Sequence, residues 1–169
     1  PRFEYLDKEV CDGLMALLRS EHINYQLTPA STHRRNKAER CIRTFKNHLI
    51  ATLATCDPSF PIAAWDELLP QAELTLNLMR RSRTNPNTSV WEHLCGPFDF
   101  YQTPLGPPGC KVIILEPADQ RPSWAPHGID AFYVGPCLHH FRTYKVFVPA
   151  TGKARTADSL SWHPRDVVL

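Results

Sequence analysis

The run STHRRNKAERCIRTFKNHLIATLATCD, Ser31 to Asp57, decides how this 169-residue chain is organised. No proline or glycine interrupts it, and its first two residues, Ser31 and Thr32, are both good helix N-caps. Apolar side chains recur three or four residues apart, at Ala38, Ile42, Phe45, Leu49 and Leu53. This spacing predicts one long helix with a single apolar stripe.

The first half of this predicted helix is strongly basic. Six cations and one acid, Glu39, give residues 31–55 a net charge of +5, which leaves −3 for the rest of the chain. The cations are Arg34, Arg35, Lys37, Arg40, Arg43 and Lys46. Such a local excess of positive charge suits a surface that binds a phosphate backbone. A solvated basic face, in which Arg35 and Arg43 neutralise Glu39 from one turn away, explains the same residues.

Composition and length indicate a globular protein with one ordinary domain or two small ones. The apolar content of 43% and charged content of 21% exclude wholesale disorder. The six cysteines form no CxxC pair and no zinc spacing, so we expect mostly buried, reduced thiols in an intracellular protein. No apolar run is long enough to cross a bilayer and no signal peptide is visible. The chain starts without methionine, in a predicted strand, which indicates a fragment.

The residues before the basic helix alternate between strand and helix patterns. Phe3–Leu6 is predicted to be a strand that ends at Asp7, a leucine stripe predicts a helix through Ser20, and Ile23–Leu27 is a second predicted strand. This order is typical of an α/β layer, in which strand ends often carry the chemistry. Asp7 can equally be a helix N-cap or first-turn acid.

Beyond the basic helix the patterns change twice. Ile62–Met79 is a predicted helix that Pro70 kinks or splits, and a short helix covers Ser89–Leu94. A Gly/Pro-rich stretch then predicts a stiff linker, and the residues after it predict a small all-β barrel or sheet. The predicted strands are Lys111–Leu115, Ala131–Val134, Tyr144–Val148 and Ala154–Leu160. We therefore predict an α/β part over residues 1–95, a linker over 96–109 and a β module over 110–169.

Cations and aromatic residues recur in the predicted β module. They are Arg121, Trp124, His127, His139, His140 and Arg142. They form either a second nucleic-acid patch or core aromatics with ordinary surface charge, and the second interpretation is favoured.

Several stretches resemble the integrase region of copia-like long-terminal-repeat retrotransposon Pol polyproteins. These are LDKE, INYQLTPASTHRRNKAERCIRTFKNH, WDELLPQAELTLNLMR, TPLGPPGCKV and SWAPHGIDAFYVGP. The resemblance implies an α/β fold made of the C-terminal half of an RNase H-like catalytic core, followed by the β module. In that family two Asp and one Glu bind two divalent metals; Asp7 matches the second Asp and Glu39 the Glu. The first Asp would lie upstream.

The resemblance also implies a chemistry. Two Mg²⁺ (or Mn²⁺) ions about 4 Å apart clamp the attacking and leaving oxygens during 3′-end processing and strand transfer. Carboxylates are the ligands that such hard cations prefer. The six cations around Glu39 would bind element ends and target duplex by their phosphates, with little sequence choice. Three departures from the family are the first Asp, which is absent here, the 31 residues between Asp7 and Glu39, a shorter spacing than usual, and Lys8 in place of Asn.

We therefore expect part of a retrotransposon integrase that acts in DNA integration. With only two of three carboxylates, on an incomplete sheet, the fragment should not catalyse by itself. The resemblance implies a homo-oligomer in the complete protein, acting in the nucleus or a cytoplasmic virus-like particle and not in a membrane. Two alternatives stay open: a non-catalytic DNA-binding remnant of a decayed element, and a protein-interaction module in particle assembly.

Overall fold

A computed structural model of the chain describes residues 3–6, 11–27, 37–116, 124 and 126–164. The chain divides into two compact units, Pro1–Asn47 and His48–Leu169. The helices are α1 (Asp12–Ser20), α2 (Lys37–Thr55), α3 (Leu69–Met79) and α4 (Val90–Cys95), with a 3₁₀ segment at Ile62–Leu68. The strands are β1 (Phe3–Leu6), β2 (Asn24–Leu27), β3 (Lys111–Leu115), β4 (Gly128–Pro136), β5 (Tyr144–Val148), β6 (Lys153–Ala157) and β7 (Leu160–His163).

The first unit contains a strand–helix–strand crossover. β1 and β2 pair in parallel, from Phe3 opposite Asn24 to Leu6 opposite Leu27. Parallel neighbours cannot be joined by a tight turn, and α1 supplies the connection that they need. The predicted alternation of strand and helix is therefore confirmed, and the chain as a whole is mixed α/β.

The apolar stripe predicted along α2 is only partly buried. Ala38 is exposed and the Ile42 side chain is 65% exposed, whereas Phe45, Leu49 and Leu53 are half-buried or nearly so. The predicted apolar stripe is therefore exposed to solvent at its beginning. In the described part of the first unit, only a two-stranded sheet and one nine-residue helix could pack over the beginning of this stripe. In the second unit Leu53 packs against an apolar cluster.

The helix predicted over Ile62–Met79 is split, as its proline suggested. A 3₁₀ segment ends at Leu68 and α3 begins at Leu69, so Pro70 lies in the first turn of α3. Proline is tolerated there because its missing N–H would have no helical partner. The short helix α4 is capped by Ser89, whose Oγ accepts a hydrogen bond of 3.0 Å from the Glu92 N–H.

Five strands of the second unit form an antiparallel sheet in the order β6-β5-β4-β3-β7. The single strand predicted at Ala154–Leu160 is in fact the end of β6, a two-residue connection and the start of β7. In a flat sheet these two edge strands would lie about 19 Å apart. The three Cα steps from Ala157 to Leu160 span at most about 11 Å. The sheet must therefore curl until its edges approach each other.

Both faces of the two middle strands are buried. Side chains on the concave face form one cluster, here called the concave cluster: Val112, Ile114, Ala131, Tyr133, Val146 and Val148. The alternating side chains point the other way and form the helix–sheet cluster: Cys56, Phe60, Ala64, Leu68, Phe132, Val134 and Phe147. In the second cluster the rings of Phe60 and Phe132 meet edge to face, with centroids 5.5 Å apart. The sheet is thus built into the same core as the helical residues before it.

The segment predicted to be a linker, residues 96–109, lies inside the second unit. The Gln71 Nε2 donates a hydrogen bond of 2.8 Å to the Gly106 carbonyl. The Gly109 N–H donates to the Tyr133 carbonyl at 2.8 Å, and the Asp57 N–H donates to the Gly109 carbonyl at 3.1 Å. The boundary between the compact units accordingly falls after Asn47 and not at the Gly/Pro-rich stretch.

We predict that Gly109→Ala destabilises the second unit more than Gly152→Ala. Both glycines have left-handed backbones, with φ of +67° and +64°, so alanine costs about 1–2 kcal/mol of strain at either position. A Cβ at Gly109 would also overlap the Sγ and Cβ of Cys56, whereas at Gly152 it meets open space. Overpacking of this kind adds about 1–3 kcal/mol. Equal decreases in the free energy of urea unfolding would contradict this prediction.

The cysteines are less buried than expected. All six are free thiols, but Cys56 and Cys110 alone are buried; Cys11, Cys41 and Cys95 are exposed. Burial, with a smaller contribution from the Asp57 charge, raises the pKa of Cys56 from 9.0 to about 11. The same two causes raise the pKa of Cys110.

The raised pKa of Cys56 predicts a pH-dependent stability. The folded state binds this proton more tightly than the unfolded state, so the stabilisation is complete below pH 9.0 and is lost as the pH rises towards about 11. In Cys56→Ala the free energy of unfolding should therefore fall less between these pH values than in the wild type. Chemical denaturation at several pH values measures this difference, and parallel decreases in the two proteins would refute it.

Candidate nucleic-acid interface

The basic side chains of α2 that the structure describes lie on the solvent side of the helix. Arg40, Arg43 and Lys46 are all exposed and follow one another at intervals of three residues. This interval brings them along one side of the helix, over about 9 Å of its axis. The Thr44 hydroxyl between them donates to the Arg40 carbonyl at 2.8 Å, so it is turned towards the helix backbone.

The charges at Arg43 and Lys46 are not compensated within the described residues. Neither side chain has an ion pair or a side-chain hydrogen bond with any residue in that part of the chain. The ion pairs that the structure does show lie in the second unit, where Lys111 meets Asp130 and Lys145 meets Glu67, each at 2.8 Å. The basic face of α2 therefore retains positive charge that an anionic partner could neutralise.

Glu39 is half-buried and lies in the first turn of the same helix. Arg43 lies one turn further along, yet the described residues include no ion pair between the two. The interpretation in which Arg43 neutralises Glu39 is therefore not supported. Its other half, neutralisation by Arg35, falls outside the described residues.

The remaining predicted site residues are Asp7, Arg34, Arg35 and Lys37. Asp7, Arg34 and Arg35 lie outside the described residues, and Lys37 is the first residue of α2. β1 ends at Leu6, immediately before Asp7, as the sequence predicted. The convergence of Asp7 and Glu39 on one metal site stays a prediction.

The described residues do not form a metal site by themselves. Over these ranges, no group of three or more His, Cys, Asp or Glu side chains is placed to hold a metal ion. Of the two predicted ligands only Glu39 is described, and one carboxylate is a poor site for Mg²⁺. No helix in the described ranges is long and apolar enough to span a membrane.

A second cationic and aromatic surface lies on two loops of the second unit. The Arg142 guanidinium lies 5.3 Å from the centroid of the Tyr101 ring, and the centroid of the Phe141 ring lies 5.9 Å from the same point. Tyr101 is 71% exposed and Phe141 60% exposed. Sequence patterns indicated Arg142 but neither ring, because the contact joins loops that are distant in sequence. Trp124 is 99% exposed, so the expectation of a core aromatic is wrong there.

No family model and no curated protein matches the chain. Among solved structures it is similar to a chain in the cryo-EM structure of the simian T-cell lymphotropic virus intasome in complex with PP2A regulatory subunit B56 gamma. The identity is 14% and the TM-score 0.34, over 98% of this chain and 61% of that one. A TM-score of this size does not establish a common fold.

Proposed function

We propose that this chain is part of a retrotransposon integrase and that it binds duplex DNA through the basic face of α2. The observation that carries the binding proposal is the uncompensated charge of Arg43 and Lys46, which lie beside the exposed Arg40. Phosphates on a duplex recur with regular spacing, and cations on one helix face can neutralise several of them without reading bases.

The first unit supports the integrase part of the proposal. A parallel strand pair with a helical crossover precedes the helix that carries Glu39, which is the order that the resemblance implies. Leu17 is 55% exposed and Ile42 65% exposed. Such apolar exposure suits one half of a larger core, here an RNase H-like one.

In the complete enzyme, Asp7 and Glu39 would be carboxylate ligands of the divalent metal pair. When bound, these metals activate a water or a 3′-hydroxyl for attack on a phosphodiester. The residues of α2 act before that step, because they hold the duplex by its backbone next to Glu39. We further propose that the complete protein is a homo-oligomer that acts in the nucleus or in a virus-like particle.

We predict that replacing Arg40, Arg43 and Lys46 together by Ala weakens binding to all duplexes alike. Each phosphate that is no longer neutralised should reduce the magnitude of the negative slope of log K against log salt by up to about 0.9. Fluorescence anisotropy with two unrelated duplexes, between about 50 and 200 mM salt, measures this slope.

The matched control is Lys153→Ala, which removes an exposed cation from the second unit. It should leave the slope unchanged, because only charges at the interface release counterions. If the triple substitution in α2 has no more effect than Lys153→Ala, the basic face of α2 is not the DNA-binding surface.

We predict that Glu39→Gln abolishes strand transfer in a longer protein that includes the upstream part of the core. The substitution keeps the shape of the side chain and removes the charge that holds a hard cation. An oligonucleotide joining assay in Mg²⁺ measures the effect, and DNA binding and the circular dichroism spectrum should stay unchanged.

Two results would contradict the catalytic proposal. Near wild-type joining by Glu39→Gln would show that Glu39 is a surface acid. Salt-sensitive DNA binding without joining by the longer wild-type protein would indicate a DNA-binding remnant instead. In either case the binding proposal for α2 stands or falls separately, on the salt slope.

A further inference from the structure

The edge strand β6 carries an arginine on the concave face of the curled sheet. Arg155 pairs with Val146 of β5, and directly opposed residues on neighbouring strands point to the same face. Val146 is fully buried in the concave cluster. Arg155 therefore extends towards the apolar interior of the sheet, where a cation is unusual.

The guanidinium of Arg155 is incompletely satisfied in this position. Its Nη2 atom is buried and has no hydrogen-bond partner. The side chain also has no ion pair with any residue over the described ranges. A buried donor without an acceptor is costly, and an arginine donor more so, because charge strengthens the hydrogen bond that is missing.

Arg155 is one of the residues that line a cavity of about 430 Å³ at the end of the sheet where β6 turns into β7. Its lining includes Ile114, Thr143, Arg155, Thr156, Asp158 and Ser159. The apolar lining is Ile114 of the concave cluster together with Leu115 and Ala157, and three of the lining residues carry hydroxyl groups. The site thus combines a cation with several small polar residues in a concave pocket.

We propose that this cavity binds a phosphate group, with Arg155 as its principal donor. A guanidinium presents a planar fork of donors that matches the oxygens of a phosphate. The remaining oxygens of a phosphate can accept hydrogen bonds from hydroxyl groups. The threonine and serine residues of the lining therefore suit a phosphate better than an anionic group that has only two oxygens.

Asp158 sets the strength of the proposed site. Its carboxylate lines the same cavity but forms no ion pair with Arg155 in the part of the chain described. A carboxylate near a bound anion repels it, so Asp158 should weaken binding. Substitution of Asp158 should therefore strengthen phosphate binding, whereas substitution of Arg155 should remove it.

The experiment is a titration of the ¹⁵N-labelled chain with inorganic phosphate at constant ionic strength, balanced with chloride and followed by NMR. We expect saturable shifts in residues 155–159 and at Thr143. Arg155→Met should weaken the affinity about tenfold or more, the decrease expected when a hydrogen bond to a charged group is removed. Asp158→Asn should strengthen it. Lys153→Met, which removes a cation from the same strand outside the cavity, should leave it unchanged.

Thermal unfolding separates binding from a structural role. Because Arg155→Met removes an incompletely satisfied charge, its midpoint without phosphate should equal or exceed that of the wild type. Phosphate should raise the wild-type midpoint and leave that of Arg155→Met unchanged. No saturable shift in the wild type, or equal affinities for wild type and Arg155→Met, would overturn the proposal.

The phosphate could belong to a small molecule or to a nucleic-acid end. Short single strands with a 5′-phosphate or a 5′-hydroxyl distinguish these sources. Tighter binding of the 5′-phosphate strand that depends on Arg155 assigns the site to nucleic-acid ends. Equal binding of both strands, with Arg155-dependent binding of free phosphate, assigns it to small phosphates. The proposed phosphate site does not depend on the basic face of α2, and the failure of one leaves the other intact.

Discussion

The packing of Phe132, Val134 and Phe147 against Phe60 and Leu68 is the contact on which the second unit depends. A side chain of this size contributes about 1.5–3 kcal/mol when it is removed from water. β4 and β5 each bury alternate residues on opposite faces, so neither strand has a face for solvent. The residues that follow α2 must therefore cover one face, while the curl of the sheet closes the other.

This two-sided burial explains why the Gly/Pro-rich stretch is not a spacer. Gly109 allows the chain to pass directly over Cys56, where a side chain would not fit, and its N–H and carbonyl both take part in hydrogen bonds. Gln71 ties Gly106 to α3 from a fully buried position. The glycine and proline residues of this stretch allow close packing. Composition alone cannot distinguish such a packed segment from a linker.

The cations of α2 and Arg155 of β6 lie in opposite settings. On α2, Arg43 and Lys46 lie in solvent, where charge costs little and can attract an extended anionic surface. On β6, Arg155 extends towards an apolar interior and lines a cavity with room for a single anionic group. The first arrangement suits a long polyanion held without specificity, and the second suits one phosphate held in a defined position. Both interpretations rest on charge that the described residues do not compensate.

Sequence periodicity and proline chemistry by themselves determined most of the elements: the strands Lys111–Leu115 and Tyr144–Val148, the split just before Pro70 and the strand before Asp7. These elements depend on the alternation of apolar and polar side chains and on the backbone properties of proline. Both can be recognised from residues that are neighbours in sequence.

Tertiary structure alone decided which residues are covered, because burial depends on partners distant in sequence. Ile42 belongs to a regular stripe and is nevertheless exposed. Lys153 and Arg155, two residues apart on one edge strand, look alike in sequence, yet Lys153 at the strand end is exposed and Arg155 is half-buried. Lys153 and Arg155 pair with Val148 and Val146 of the same concave cluster, so only their different positions along the curled sheet set the two cations apart. Those positions cannot be recognised from the residues beside them.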